Sequence, residues 1–199
     1  MNYKEQFCAE YKRHIKRKGG DALLDWLLDS DFFIAPASTK YHSAYEGGLA
    51  NHSLNVFYRL RDLLLAEYGC EKMTEELMES AAICGLLHDV CKAHFYTVSF
   101  RNVKNEETGK WEKQPFYAID DQFPFGHGEK SVYILMKHMR LEAEEALAIR
   151  WHMGAFDDSA NRNPLSKTFT ENPLAVLLHI ADLMASYLDE TEETTELNR

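Results

Sequence analysis

The sequence lacks an apolar run long enough to cross a membrane as a helix, which takes about 18 residues or more. Its first stretch, MNYKEQFCAEYKRHIKRKGG, has no apolar core of the kind found in signal peptides. The 4 cysteines form no CxxC pair, and Cys84 and Cys91 lie in apolar stretches where free thiols commonly pack. We therefore expect a cytoplasmic protein with unpaired thiols and no membrane contact.

Positive charge is also scarce, since 22 Lys and Arg stand against 32 Asp and Glu, for a formal net charge of −10. Long nucleic acid binds through clustered Lys and Arg, so this balance argues against such a partner. A small phosphorylated substrate remains compatible, because bound metal ions reverse the local sign of the potential. The hydrophobic fraction of 45% is ample for the core of one domain.

Helical periodicity dominates the chain. Apolar residues recur at helical spacing, which predicts helices over 3–18, 20–28, 49–68, 75–88, 129–138, 141–152 and 173–188. The segment 31–48 is predicted to be irregular, and the acidic run 189–199 is predicted to be a solvated, frayed tail.

Two of these helices direct a histidine toward the core. His52 shares a helical face with Leu49 and Val56. His88 lies on the apolar face of its helix, and Asp89 follows it directly. A hydrogen-bonded core histidine is the alternative reading of each position taken alone.

A third predicted helix contains a carboxylate, Asp182, within the apolar segment LLHIADLMAS. A buried carboxylate must be paired, hydrogen-bonded or bound to metal, because an unpaired buried charge costs several kcal/mol. Two His and two Asp suit Mn²⁺, Fe²⁺ or Mg²⁺ better than a structural Zn²⁺ site, which favours Cys. The sequence thus predicts a metal site on four residues: His52, His88, Asp89 and Asp182.

The order of these four residues resembles the H…HD…D pattern of the HD superfamily of phosphohydrolases. LLHDVCK resembles the LLHDIGK segment of that family, with Cys91 in place of the usual Gly. GGLANHSLNV resembles the GGLLEHTLSV-like segment of bacterial HD-type exoribonucleases and their relatives. FGHGEKSV and IRWHMG contain His127 and His152 where some subfamilies have two further histidines. The resemblance covers about 41–186.

This resemblance implies an HD-domain helical bundle, so we expect an all-α fold, to which the residues of 95–119 add a small two-stranded β-hairpin insertion. The whole chain, 1–199, would form a single HD domain, divided into N-terminal helices (1–40), the HD core (41–188), the hairpin within it (95–119) and the acidic tail (189–199).

The resemblance also implies roles for individual residues. His52, His88, Asp89 and Asp182 would hold a first divalent ion (Mn²⁺, Fe²⁺, Mg²⁺ or Ni²⁺). His127 and His152 would hold a second ion, with Asp89 as the bridge, or would contact substrate instead. Asp89 and Lys92 would serve catalysis, Lys92 by neutralising a phosphate oxygen, unless it is only a solvated cation at a helix end.

The segments FYTVSFR (95–101) and WEKQPFYAI (111–119) are rich in aromatic and β-branched residues and flank a polar connection containing Gly109. They predict the hairpin strands. Their position between His88-Asp89 and His127 favours a flap whose aromatic side chains stack on a base. A plain packing element is the alternative.

The function implied is hydrolysis of phosphate esters of nucleotides or short oligonucleotides by attack of a metal-bound hydroxide, as a phosphodiesterase or a nucleotidase. Six candidate ligands favour a binuclear site and phosphodiesters. The alternatives are a catalytically silent nucleotide-binding module and a di-iron oxygenase on the same scaffold. The oligomeric state stays open. The remaining histidines are predicted to be surface or structural residues: His14, His42, His94, His138 and His179.

Overall fold

The computed structural model of the chain describes residues 2–106, 108–157 and 162–190. Within these ranges the helices are α1 (Tyr3–His14), α2 (Gly20–Asp29), α3 (Gly48–Tyr68), α4 (Glu75–Leu87), α5 (His127–Met136), α6 (Ala143–Arg150), α7 (Arg162–Glu171) and α8 (Pro173–Met184). A π-helical turn, Ala185–Asp189, continues α8. The strands are β1 (Tyr96–Lys104) and β2 (Trp111–Ile119). The predicted helical fold with one small hairpin is confirmed.

The predicted break between the first two helices is present, but α1 ends at His14, earlier than the expected position 18. The backbone N–H groups of Lys16 and Arg17 donate to the Glu79 carboxylate, at 2.6 and 2.7 Å, instead of extending the helix. Gly19, at φ +93°, then turns the chain into α2. A tertiary contact therefore sets this helix end.

Helix α3 lies at the centre of the bundle and packs against α1, α4 and α8. Its inward side chains, including Val56, Phe57 and Leu60, are fully buried. The crossing with α4 is close: a Cβ added to Gly85 would lie 2.5 Å from the Cα of Phe57. Of the three helices whose residues form the predicted first metal site, α4 and α8 therefore both pack directly on α3.

The hairpin is antiparallel, with Tyr96 opposite Ile119 and Lys104 opposite Trp111. Most of its side chains are exposed, and it is anchored at its base, where the Tyr96 hydroxyl donates to the Ala37 carbonyl at 3.1 Å. The part of the chain that the structure describes contains no helix of the length and apolarity needed to cross a bilayer.

Candidate metal centre

Asp89 lies at the centre of a cluster of buried histidines. Its Oδ2 is 3.7 Å from His52 Nε2 and 3.6 Å from His88 Nε2. Its Oδ1 is 2.7 Å from His127 Nε2 and 3.5 Å from His152 Nε2. Four of the six predicted ligands, all histidines, thus meet around the carboxylate of a fifth. These five residues lie near the beginnings or ends of α3, α4, α5 and α6.

Asp182, the sixth predicted ligand, approaches from α8. Its Oδ1 lies 3.3 Å from His52 Nε2, and that nitrogen lies 3.3 Å from His88 Nε2. Candidate donor atoms within 4.8 Å of one another include the sets His52–His88–Asp89 and Asp89–His127–His152. The structure therefore brings together all six residues, with Asp89 common to both sets.

The end of α4 explains how Asp89 reaches the centre. His88 caps the helix, and Asp89 leaves helical geometry at φ −104°, ψ 18° before a short 3₁₀ turn, Val90–Lys92. This turn brings Lys92 back toward Asp89, so that Lys92 Nζ lies 2.6 Å from Asp89 Oδ2. The predicted catalytic lysine is thus paired with the central carboxylate.

Hydrogen bonds fix the tautomers of two rings. His88 Nδ1 donates to the Gly85 carbonyl at 3.0 Å, and His152 Nδ1 donates to the Ile149 carbonyl at 2.7 Å. Because a carbonyl only accepts, each Nδ1 carries a proton and each ring turns its Nε2 atom to the centre. His152 Nε2 is buried and has no hydrogen-bond partner among the described residues.

The buried Nε2 atom of His152 tests whether the residues fit a metal. An unsatisfied buried polar atom costs about 1–3 kcal/mol, and a cation bound beside Asp89 would satisfy this one. Imidazole nitrogens combined with carboxylate oxygens are ordinary ligands of divalent transition metals. The donor set therefore fits a divalent ion.

The charge states agree with this fit. Burial lowers the pKa of His88 to about 3, so its ring is neutral at physiological pH. Burial alone would raise the pKa of the Asp89 carboxyl, but Lys92 and the surrounding histidines hold it well below its usual range. His52 likewise lowers the pKa of the buried Asp182 carboxyl. Neutral imidazoles and ionised carboxylates are the forms that bind metal. The pKa values of His52 and His127 are raised to about 10, because neighbouring acidic groups outweigh burial, so each of these rings would release a proton when a cation binds.

His127 is held differently from the other rings. It is the first residue of α5, its side chain is 31% exposed, and its Nδ1 lies 3.4 Å from the Cys91 thiol. Its Nε2 donates to Asp89 Oδ1, so a cation bound here would replace that proton. The Cys91 that stands in place of the family's usual Gly therefore contacts a candidate ligand.

The structure corrects the prediction of a solvated tail at its first two residues. Asp189 pairs with Arg59, and the Glu190 side chain is only 1% exposed. Glu190 accepts a hydrogen bond from His52 Nδ1 at 3.0 Å, because the π-helical turn after α8 returns the chain to the start of α3. The rest of the predicted tail, 191–199, lies outside the described residues.

Two histidines predicted to be surface or structural residues border the same centre. His42 Nδ1 donates to Glu190 Oε2 at 3.1 Å, and His179 Nδ1 donates to the His152 carbonyl at 2.6 Å. The other three pack on aromatic rings elsewhere: His14 on Phe57, and His94 and His138 on Trp26. The position of His179 three residues before Asp182 was a usable signal, whereas no local pattern marked His42 or Glu190.

A cavity of about 490 Å³ opens onto the centre, a size typical of small-molecule sites. Its polar lining includes His52, Asp89, Lys92, His127, His179 and Asp182. Its apolar lining includes Tyr41, Tyr96, Ile119, Phe156, Leu183 and Tyr187. The hairpin contributes Tyr96 and Ile119 from its base, whereas its Phe100 and Trp111 are 63% and 69% exposed.

Comparisons with known proteins bear on this geometry. A family model described as HD domain matches residues 49–187, which contain all six clustered residues. Among curated proteins, a dihydroneopterin 2′,3′-cyclic phosphate phosphodiesterase from Methanocaldococcus jannaschii is 30% identical over 89 residues. That match covers 43% of this chain and 31% of the relative. No solved structure matches significantly.

Proposed function

Because the chain belongs to the HD-domain family, we propose that it is a metal-dependent phosphohydrolase that cleaves phosphate esters of nucleotides or short oligonucleotides. One observation supports this above the others. Imidazole nitrogens and two ionised carboxylates cluster at the base of a cavity, with a lysine beside them. A purely structural cluster would have no need of an open cavity above it.

The residues divide into two candidate ligand sets. His52, His88, Asp89 and Asp182 would hold one divalent ion, and Asp89, His127 and His152 a second. Bound Mn²⁺, Fe²⁺, Mg²⁺ or Ni²⁺ would supply a water molecule acidified toward neutral pH and a cationic clamp for phosphate oxygens. Asp89 can serve both sets because its Oδ2 faces His52 and His88, whereas its Oδ1 faces His127 and His152.

Lys92 is placed to hold the anionic end of a substrate. Its ammonium borders the cavity, and Asp89 Oδ2 takes only one of its three N–H donors. The pKa of Lys92 is raised above its usual value, because the attraction of Asp89 outweighs burial, so the group stays cationic. It can therefore neutralise a non-bridging phosphate oxygen as charge develops there.

The aromatic part of the cavity lining suits a planar ring. Tyr41, Tyr96, Phe156 and Tyr187 present aromatic surface within the same space as the cluster. Aromatic rings stack on nucleobases with little sequence preference. The named activity of the archaeal relative, on a cyclic phosphodiester of a pterin, supports a small diester of a ring compound as the substrate class.

The deciding experiment measures phosphate-ester turnover by protein purified without chelator and supplied with Mn²⁺. Substrates would be 2′,3′-cyclic nucleotides, dinucleotides and nucleoside monophosphates, and Asp89→Asn would be the matched variant. We expect turnover of at least one diester that the variant loses. Metal binding without turnover of any substrate would favour the binding module, and turnover that requires oxygen would favour the oxygenase.

A further inference from the structure

The Glu190 carboxylate is the meeting point of four hydrogen-bond donors. Oε1 accepts from His52 Nδ1 and from Asn55 Nδ2, each at 3.0 Å. Oε2 accepts from the Ser43 hydroxyl at 2.7 Å and from His42 Nδ1 at 3.1 Å. Four donors fill the acceptor capacity of an ionised carboxylate, which a carboxamide with a single oxygen cannot match.

His52 differs from its neighbours in how its ring is fixed. The Nδ1 atoms of His88 and His152 donate to carbonyls of their own helical turns, Gly85 and Ile149. The Nδ1 of His52 instead donates to a side chain 138 residues away in the sequence. The orientation of this ring therefore depends on a residue outside its own helix.

We propose that Glu190 is a positioning residue of the metal centre, which holds the proton on His52 Nδ1 and so directs the Nε2 lone pair toward the bound cation. This inference rests on the proposed function, because it presupposes that His52 is a metal ligand. A carboxylate behind a ligating histidine fixes its tautomer and increases its basicity, and losing such a partner typically weakens metal binding about 10–100-fold.

The path of the chain supports a specific role for this contact. The π-helical turn Ala185–Asp189 ends with Glu190 N–H donating to the Ala185 carbonyl at 3.1 Å, and such turns often occur at functional sites. Arg59, on the same helix as His52, pairs with Asp189. Of these two adjacent residues, Asp189 thus docks the chain on α3, while Glu190 contacts the His52 ring.

This division of labour supplies a matched pair of variants. Glu190→Gln keeps the shape of the side chain and removes its charge, whereas Asp189→Asn weakens docking without touching His52. Calorimetric titration with Mn²⁺ would measure affinity, and thermal unfolding would measure stability. Histidine ¹⁵N NMR of the Cd²⁺-loaded protein would report which nitrogen of His52 carries the proton.

We expect Glu190→Gln to weaken Mn²⁺ binding about 10–100-fold and to shift the Nδ1–H signal of His52. Asp189→Asn should leave both at their wild-type values even if its unfolding temperature falls. Wild-type affinity and an unshifted Nδ1–H signal in Glu190→Gln would overturn the assignment, and equal weakening in both variants would reduce Glu190 to a docking residue. A wild-type protein that binds no metal would overturn the proposed function itself.

Discussion

The Nε2 atoms of His52 and His88 lie 3.3 Å apart in a site where both side chains are almost fully buried. Each ring donates its Nδ1 proton outward, to Glu190 and to the Gly85 carbonyl respectively. Burial lowers the pKa of His52, but Glu190 and Asp182 outweigh burial and raise the pKa to about 10, so the Nε2–H of His52 faces the Nε2 lone pair of His88. A bound cation would replace that proton and be shared by both rings, so the metal should matter for stability as well as for chemistry.

Divalent metal should raise the thermal stability of the chelator-treated protein. A ligand that binds only the folded state stabilises it by about 2.7 kcal/mol at 100 times its dissociation constant. For a domain of this size that corresponds to an increase in Tm of several degrees. Scanning calorimetry with and without Mn²⁺ measures it, and Asp89→Asn should lose the increase. If saturating Mn²⁺, Fe²⁺, Mg²⁺ and Ni²⁺ each left the Tm at the value of the chelator-treated protein, that result would contradict the metal site.

The number of bound ions should depend on His127. Plasma mass spectrometry of wild-type protein should find about two equivalents of metal per chain, the count expected of a two-metal site. His127→Ala should retain about one, because His52, His88 and Asp182 remain.

His138→Gln is the control for this count, since His138 packs on Trp26 rather than in the cluster. Two equivalents in His127→Ala would instead make His127 a substrate contact. That reading is open because its ring is 31% exposed and faces the Cys91 thiol.

Sequence periodicity and motif order predicted most of the helices and the clustered residues, because both depend on residues that are close together in the sequence. A helix that buries one face repeats its apolar residues, so α3 and α4 were predicted to within one residue at each end. Helix α7 (RNPLSKTFTE) has no such repeat and buries only Thr168 among its residues, so no pattern marked it. The early end of α1 depends on Glu79, distant in the sequence, and could not be predicted locally.

The same distinction applies within the site. The six clustered residues were predicted because their order and local contexts resemble a family pattern. Glu190 lies in an acidic run that is typical of solvated tails, and only the π-helical turn distinguishes it from its neighbours. A contact between two residues 138 positions apart, such as His52 and Glu190, produces no periodic pattern in the sequence around either residue.

Lys92→Met should impair turnover while metal binding persists. Removing one electrostatic donor to a developing oxyanion typically costs about 10²–10³-fold in kcat. Steady-state kinetics on the best diester, together with metal content, would separate these effects. Lys113→Met, on the exposed face of β2, is the matched control and should behave as wild type. Equal kinetics for both variants would assign Lys92 to charge pairing with Asp89 alone.

Gly85→Ala sets two physical effects against each other. Alanine has the higher helix propensity, so propensity alone predicts a gain of about 0.5–1 kcal/mol in the free energy of unfolding. The added Cβ would lie 2.5 Å from the Phe57 Cα, a backbone atom that cannot rotate away, so α3 and α4 must separate. Overpacking of this kind costs about 1–3 kcal/mol, and we expect it to prevail.

The separation of α3 and α4 in Gly85→Ala should also change the geometry of the metal centre. His52 is on α3 and His88 caps α4, so moving the helices apart lengthens the distance between their Nε2 atoms and should weaken metal affinity. Urea unfolding and Mn²⁺ titration of the same variant measure the two effects. A rise in the free energy of unfolding would mean that the helices yield freely, and the close crossing would then play no part in holding the ligands in place.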